Sequence, residues 1–208
     1  MRARGRVGIL ISGRGSNMVS LVEGMQSGTI AADPVIVVSN VADAKGLDRA
    51  KEMGVPTAVV DSKKVKPRAE HERQIIDVLQ RHRVDLVCLA GYMRLLTPVM
   101  VSAFRQRIFN IHPSILPSFP GLHSQRQALD CGVKVSGCTV HVVDEECDHG
   151  PIIVQATVPV LDDDTEDTLA ERILEQEHRI YVEAVRLFFE DRLRIEDRRV
   201  LVCAPASS

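Results

Sequence analysis

The 208-residue sequence predicts an α/β protein with a mostly parallel, twisted sheet and helices on both of its faces. Three observations carry that expectation. Short apolar runs alternate with amphipathic stretches of helical period. The runs are apolar at nearly every position, as strands covered on both faces are. Between successive runs lies enough chain for the crossover helix that parallel neighbours need.

In order, Arg6 to Ile11 reads as a strand, and Asn17 to Ser27 places Met18, Leu21, Val22 and Met25 at helical spacing. Pro34 to Ser39 is a second strand, Gly46 to Met53 an amphipathic helix stopped by Gly54, and Pro56 to Val60 a third strand. Glu70 to His82 carries Ile75, Ile76 and Leu79 on one helical face, and Asp85 to Ala90 reads as a fully buried strand. Thr97 and Pro98 supply the cap and first-turn proline of a short helix to Phe104. In Phe109 to Gly121, FNIHPSILPSFPG, a strand is closed by Pro113, and Pro113, Pro117 and Pro120 stiffen the loop that follows. Ser124 to Leu129 reads helical, Val135 to Val143 and Pro151 to Val160 as strands, Thr165 to Asp191 as a long amphipathic helix, and Leu193 to Val202 as a small hairpin. No repeat, low-complexity segment or linker marks a boundary, so residues 1–208 are expected to form one domain.

A net charge of -2 gives no reason to expect nucleic acid, and 3% aromatics with no tryptophan leave little for a base-stacking platform. The five cysteines are odd in number and widely spaced, with no CxxC, which fits a reducing cytosol. Val7 to Ile11 is too short for a signal-peptide core and no segment is long enough to span a bilayer, so the expected setting is cytoplasmic.

Ser12-Gly-Arg-Gly-Ser-Asn17 follows a strand and precedes a helix, but it has only the first two glycines of GxGxxG, with Met18 in the third place. The next strand ends Val38-Ser39-Asn40, without the acidic residue that binds a ribose in dinucleotide folds. With no GK[ST], a triphosphatase is disfavoured too. Backbone N–H groups at the helix start, with Ser16 and Asn17, suit one phosphate; a plain strand-to-helix turn is an equal alternative.

On the strand before Pro113, Asn110 and His112 share one face, roughly 7 Å apart, at the rim where such sheets bind ligands. A structural role for that pair remains an equal reading. Asp144 to Pro151 is a polar loop in which Asp148 could raise the pKa of a histidine, or simply form a turn. A metal site from His141, Cys147, Asp148 and His149 matches no standard zinc spacing, so no metal is expected.

FNIHPSILPSFPG, with SGRGSN near the start, AGYMRLL at 90–96, HVVDEECDHGPII at 141–153 and EQEHRIY at 175–181, resembles the phosphoribosylglycinamide formyltransferases, folate-dependent enzymes of purine synthesis. The resemblance covers nearly the whole chain. It implies a Rossmann-like formyltransferase fold whose N-terminal part, about 6–100, carries a phosphate loop and whose C-terminal part, about 101–208, carries a catalytic trio. The implied reaction moves a formyl group from 10-formyltetrahydrofolate, the co-substrate, to the glycinamide amine. Asn110 and protonated His112 would stabilise the tetrahedral oxyanion, and Asp148 would keep His112 charged and help move the amine proton.

The resemblance also implies ribonucleotide contacts from Gly15, Ser16, Asn17, Met18 and Val19, with Glu177 on the ribose. Folate would meet Arg68, Met93, Arg94, Leu95, Leu96, Asn110, Asp144, Glu145, Glu146 and Cys147, with His141 as support and a cis Leu116–Pro117 bond shaping the loop. The plainer readings are a solvated helix charge for Glu177, a solvated arginine for Arg68, and a core turn for 93–96. Small-molecule substrates, no nucleic acid, no membrane, and a monomer or homodimer are the implied partners. Cys147 and His149 depart from the pattern beside Asp148, and Arg14 adds charge to the turn.

Methionyl-tRNA formyltransferase and formyltetrahydrofolate hydrolase share NxHPSxLP. The first would be expected to continue past residue 208 into a tRNA-binding domain and the second to carry a regulatory domain before Val7. A formate- and ATP-using enzyme would need an ATP-binding apparatus the sequence does not suggest. From another class, a non-catalytic mononucleotide-binding module would need no histidine–aspartate pair.

Overall fold

The structure, a computed structural model, describes residues 4–204. The chain divides into two compact units, the first running to Asn110 and the second beginning at Ile111.

The first unit is a parallel sheet. Strands β1 (Gly5–Ile11), β2 (Ala32–Ser39), β3 (Thr57–Val59), β4 (Leu86–Leu89) and β5 (Ile108–His112) are ordered β3-β2-β1-β4-β5. Their pairings are all parallel. Helices α1 (Ser16–Gln26), α2 (Lys45–Glu52), α3 (Arg68–Arg81) and α4 (Pro98–Ala103) make the crossovers. The continuous apolar runs fit this arrangement: β1 from Val7 onward and all of β4 are buried. The Thr97 hydroxyl caps α4 by accepting from Val99 N–H at 3.3 Å, as the Thr-Pro pair predicts. Met18, Leu21, Val22 and Met25, the periodic set of α1, are all buried.

In the second unit β6 (Val135–Val142), β7 (Ile152–Pro159), β8 (Leu193–Glu196) and β9 (Arg199–Val202) are ordered β6-β7-β9-β8. β6 pairs antiparallel with β7, β8 antiparallel with β9, and β7 parallel with β9. β7 is therefore not buried on both sides. Its Gln155 and Thr157 are exposed while Ala156 and Val158 are buried, the alternation of a sheet with one wet face. Helices α5 (Ser124–Cys131) and α6 (Glu166–Phe189) complete the unit. Thr165 opens α6 with a capping box to Thr168, and Leu169, Ile173, Ile180, Tyr181, Ala184 and Val185 form its buried stripe. Glu177 lies inside that stripe, 7% exposed, so it is no solvated helix charge.

The Leu116–Pro117 bond is cis, as the resemblance implies, and Lys66–Pro67 is cis as well. Among the described residues, no helix is long and apolar enough to cross a membrane.

Candidate active site

The second unit gathers titratable groups where β5 ends. His112 is the last residue of the strand and only 4% exposed. Its Nδ1 lies 3.3 Å from Asp148 Oδ2, and its Nε2 lies 2.9 Å from the Phe119 carbonyl. A second imidazole, His141 on β6, places Nε2 3.7 Å from Asp148 Oδ1. Gly121 N–H donates to Asp148 Oδ2 at 2.8 Å. One carboxylate thus meets two imidazoles and a backbone N–H.

The support is built from side chains bonded to backbone. Thr139 Oγ1 donates to the Ser114 carbonyl at 2.7 Å and accepts from Leu116 N–H at 3.1 Å. Gln155 Nε2 donates to the Leu116 carbonyl at 2.9 Å, and Gln127 Nε2 to the Leu122 carbonyl at 2.9 Å. The proline-rich loop is therefore fixed by partners as well as by its rings. Asp148 itself adopts φ 50, a left-handed backbone that most L side chains avoid and aspartate tolerates better than most. Gly150 closes the Asp144 loop against β6, where a Cβ would come 1.8 Å from the Val142 carbonyl oxygen.

Electrostatics in the cluster pull in two directions. Burial alone would raise Asp148, yet hydrogen bonds from His141 and Gly121 and the charges of His112 and His141 bring it down to about 2. His112 is lowered below 6.5: burial outweighs the Phe119 carbonyl and Asp148, which both favour the charged ring, and His141 opposes it further. A simple ion pair would raise the histidine as it lowers the aspartate. The carboxylate here has several donors, whereas the imidazole has one anionic partner at a long 3.3 Å. The net direction for His112 is thus downward, although Asp148 itself favours the charged ring. Both ring nitrogens nonetheless face acceptors, so either neutral tautomer leaves one contact mismatched, and only the imidazolium satisfies both.

In the first unit the strand ends are tied by neutral groups. Ser12 Oγ, following β1, donates to Asn40 Oδ1 at 2.6 Å and accepts from Met93 N–H at 2.8 Å. Asn40 Nδ2 reaches Ser62 Oγ at 3.3 Å. The carboxyl ends of β1, β2 and β4 are thereby laced together. Gly15 caps α1 at φ 72 without a side-chain hydrogen bond, and a Cβ there would sit 3.0 Å from Gly46 Cα. A larger residue would strain the turn and crowd α2.

The expected binding residues fall into two sets. Gly15, Ser16, Asn17 and Val19 lie at the start of α1, but the Met18 side chain is fully buried, so only its backbone is available. Met93 and Leu95 are exposed, 64% and 56%, while Arg94 and Leu96 are half-buried. Arg68 opens α3, exposed, and its charge and that of Arg94 both act on the buried Tyr92 phenol. Asn110, half-buried, precedes His112 by two positions on β5, on the same side of the pleat. Glu145, Glu146 and Cys147 are exposed, and Asp144 Oδ1 accepts from Glu146 N–H at 3.0 Å. The Cys147 thiol donates to Asp148 Oδ2 at 3.5 Å; burial first, then Asp148, raise its pKa.

Sequence reading did not single out Ser12, Asn40 or Gly121. Nor did it single out Glu72, which is 2% exposed and accepts from Thr97 N–H at 2.9 Å and from the Thr97 hydroxyl. Among the described residues no cluster of His, Cys, Asp or Glu is arranged to hold a metal.

Residues 5–185 match the formyl transferase family. The phosphoribosylglycinamide formyltransferase of Escherichia coli K12 is 41% identical over 189 residues, 91% of this chain and 89% of that one. The trifunctional purine biosynthetic protein adenosine-3 of Drosophila melanogaster is 47% identical over 186 residues, 88% of this chain. The chain spans only 14% of that relative's length. The crystal structure of glycinamide ribonucleotide transformylase 1 from Symbiobacterium toebii superposes with a TM-score of 0.96 at 51% identity, covering 98% of this chain and 96% of that one. The chain belongs to the formyl transferase family.

Proposed function

We propose that the chain transfers a formyl group from 10-formyltetrahydrofolate to the amine of 5'-phosphoribosylglycinamide, in purine synthesis. The observation that carries the mechanism is the buried His112–Asp148 pair at the end of β5, 3.3 Å apart. The amine attacks the formyl carbon, and the carbonyl oxygen becomes an oxyanion. Asn110 and His112 donate to it, the imidazolium being favoured once negative charge develops beside it. Releasing the Nε2–H toward that oxygen requires giving up the Phe119 carbonyl. Asp148 compensates the imidazolium and, through water, accepts the amine proton. Overall a C–N bond forms to the amine, the bond from the formyl carbon to N10 of the folate breaks, and one proton passes from the amine to N10.

The start of α1 holds the phosphate, because its first N–H groups point outward and Gly15 contributes no side chain to cap them. Glu177, a carboxylate set within the buried stripe of α6, accepts from the ribose hydroxyls. Met93 to Leu96 line the pterin slot; Arg68 and Arg94 supply positive charge for the folate's carboxylates. Asp144 to Cys147 form another wall. No metal enters this chemistry.

The protein, 5'-phosphoribosylglycinamide and a 10-formyl folate analogue are mixed, and loss of the formyl group is followed spectroscopically. Loss that depends on the ribonucleotide is expected. Equal loss without it would instead make the chain a folate hydrolase, and no loss in either case would leave a nucleotide-binding module.

A further inference from the structure

The turn of the C-terminal hairpin reaches the Asp148 loop through one side chain. Glu196 and Arg199 pair across β8 and β9, leaving Asp197 and Arg198 as the turn, with Asp197 at φ 51. Arg198 Nη2 donates to the His149 carbonyl at 2.7 Å. Its Nη1 lies 2.5 Å from Nε2 and 3.1 Å from Nδ1 of the same residue. That Nδ1 also faces Asp144 Oδ2 at 2.9 Å. At 3.1 Å from Nδ1 as well, Nη1 rests against the ring rather than along the Nε2 lone pair, so the guanidinium packs on the imidazole and its hydrogen bond goes to the His149 carbonyl. One arginine therefore grips the backbone and the ring of the residue after Asp148, and the ring carries the connection back to the start of the loop.

Asp148 needs such a restraint. Its φ of 50 lies in the left-handed region, which aspartate enters more readily than most residues but still at a cost, so contacts that hold the turn also fix where the carboxylate points. The far end of the loop is already pinned where Gly150 packs on the Val142 carbonyl. We infer that Arg198 is a positioning residue for the reaction, holding the Asp144–His149 loop so that the Asp148 carboxylate meets His112. The inference rests on the proposed role of Asp148 as partner of His112.

Arg198 is exposed, so its removal should leave the fold and its melting temperature unchanged. Arg198→Ala should lower kcat about tenfold, with KM for the ribonucleotide unchanged, because misplaced catalytic groups cost rate. Amide hydrogen exchange over 145–149 should quicken. Arg198→Lys, a single-point donor, should recover less than half of the lost rate. In an Asp148→Asn background, Arg198→Ala should have no further effect. A kcat within twofold of wild type, unchanged exchange, or a full tenfold loss in the Asp148→Asn background would each overturn the inference. Near-normal turnover by Asp148→Asn itself would sink the underlying mechanism, and this inference with it. An inactive Asp148→Asn beside a normal Arg198→Ala would overturn the inference alone.

Discussion

The first unit ties its strand ends with hydroxyl, amide and backbone groups, Asn40 to Ser12 to Met93, none of which titrates near neutral pH. The second brings a carboxylate against two imidazoles in a buried place. The difference follows from what each region is asked to hold. A neutral lattice keeps its geometry across pH and suits recognition by backbone; a charged cluster changes state with a single proton and suits chemistry. Mutations in the first should therefore move binding, and mutations in the second should move turnover.

The sharpest way to break that contrast is to neutralise the cluster. His112→Asn or Asp148→Asn should lower kcat by about a hundred- to a thousandfold with far-UV circular dichroism unchanged. An effect confined to KM would place the chemistry elsewhere.

A smaller effect is expected from Ser12→Ala, which removes the hydroxyl from Asn40 Oδ1 and Met93 N–H. The cost should be about 1–3 kcal/mol in chemical denaturation, with a raised KM for the folate and kcat within about twofold. A variant whose kcat collapses while both KM values hold would erase the distinction between the two regions.

Acid should weaken the second unit's cluster in two steps. A histidine lowered by burial contributes stability above its unfolded value of 6.5, and that is lost as pH falls toward its folded value. A carboxylate lowered from 3.8 to about 2 contributes stability above 3.8, lost as pH falls through about 2. The second step should be worth at most about 2 kcal/mol, since solvent reaches part of the group. Melting temperatures of wild type and Asp148→Asn across pH 7 to 2 should converge at the acid end, whereas parallel curves would deny the coupling.

The smallest change should come from the surface. Arg126 and Asp130 pair at 3.1 Å along α5 with both side chains 64% exposed, and Arg126→Ala should shift the melting temperature by less than about 2 °C.

Much of the fold was legible because buried parallel strands leave continuous apolar runs and crossover helices leave a 3.6-residue period. β7 was read as one more such run because its alternation of Gln155 and Thr157 with apolar neighbours is short, and its antiparallel partner is not written locally. His112 and Asp148 stood out by motif. What joins them did not: Gly121 and Asp148 are 27 residues apart, and Ser12 and Met93 are 81 apart, contacts that only the folded chain specifies. The direction of the His112 shift was equally out of reach, since its largest cause is burial of the ring, which no local pattern records.

His112 and His141 share Asp148: Oδ2 faces the His112 ring and takes the Gly121 N–H, while Oδ1 faces the His141 ring. One side chain, on a backbone at φ 50, therefore sets the place of two rings and a turn of the proline-rich loop at once. Moving that carboxylate would loosen a strand end, a neighbouring strand and a loop together, so the aspartate is a joint of the unit as well as a charge.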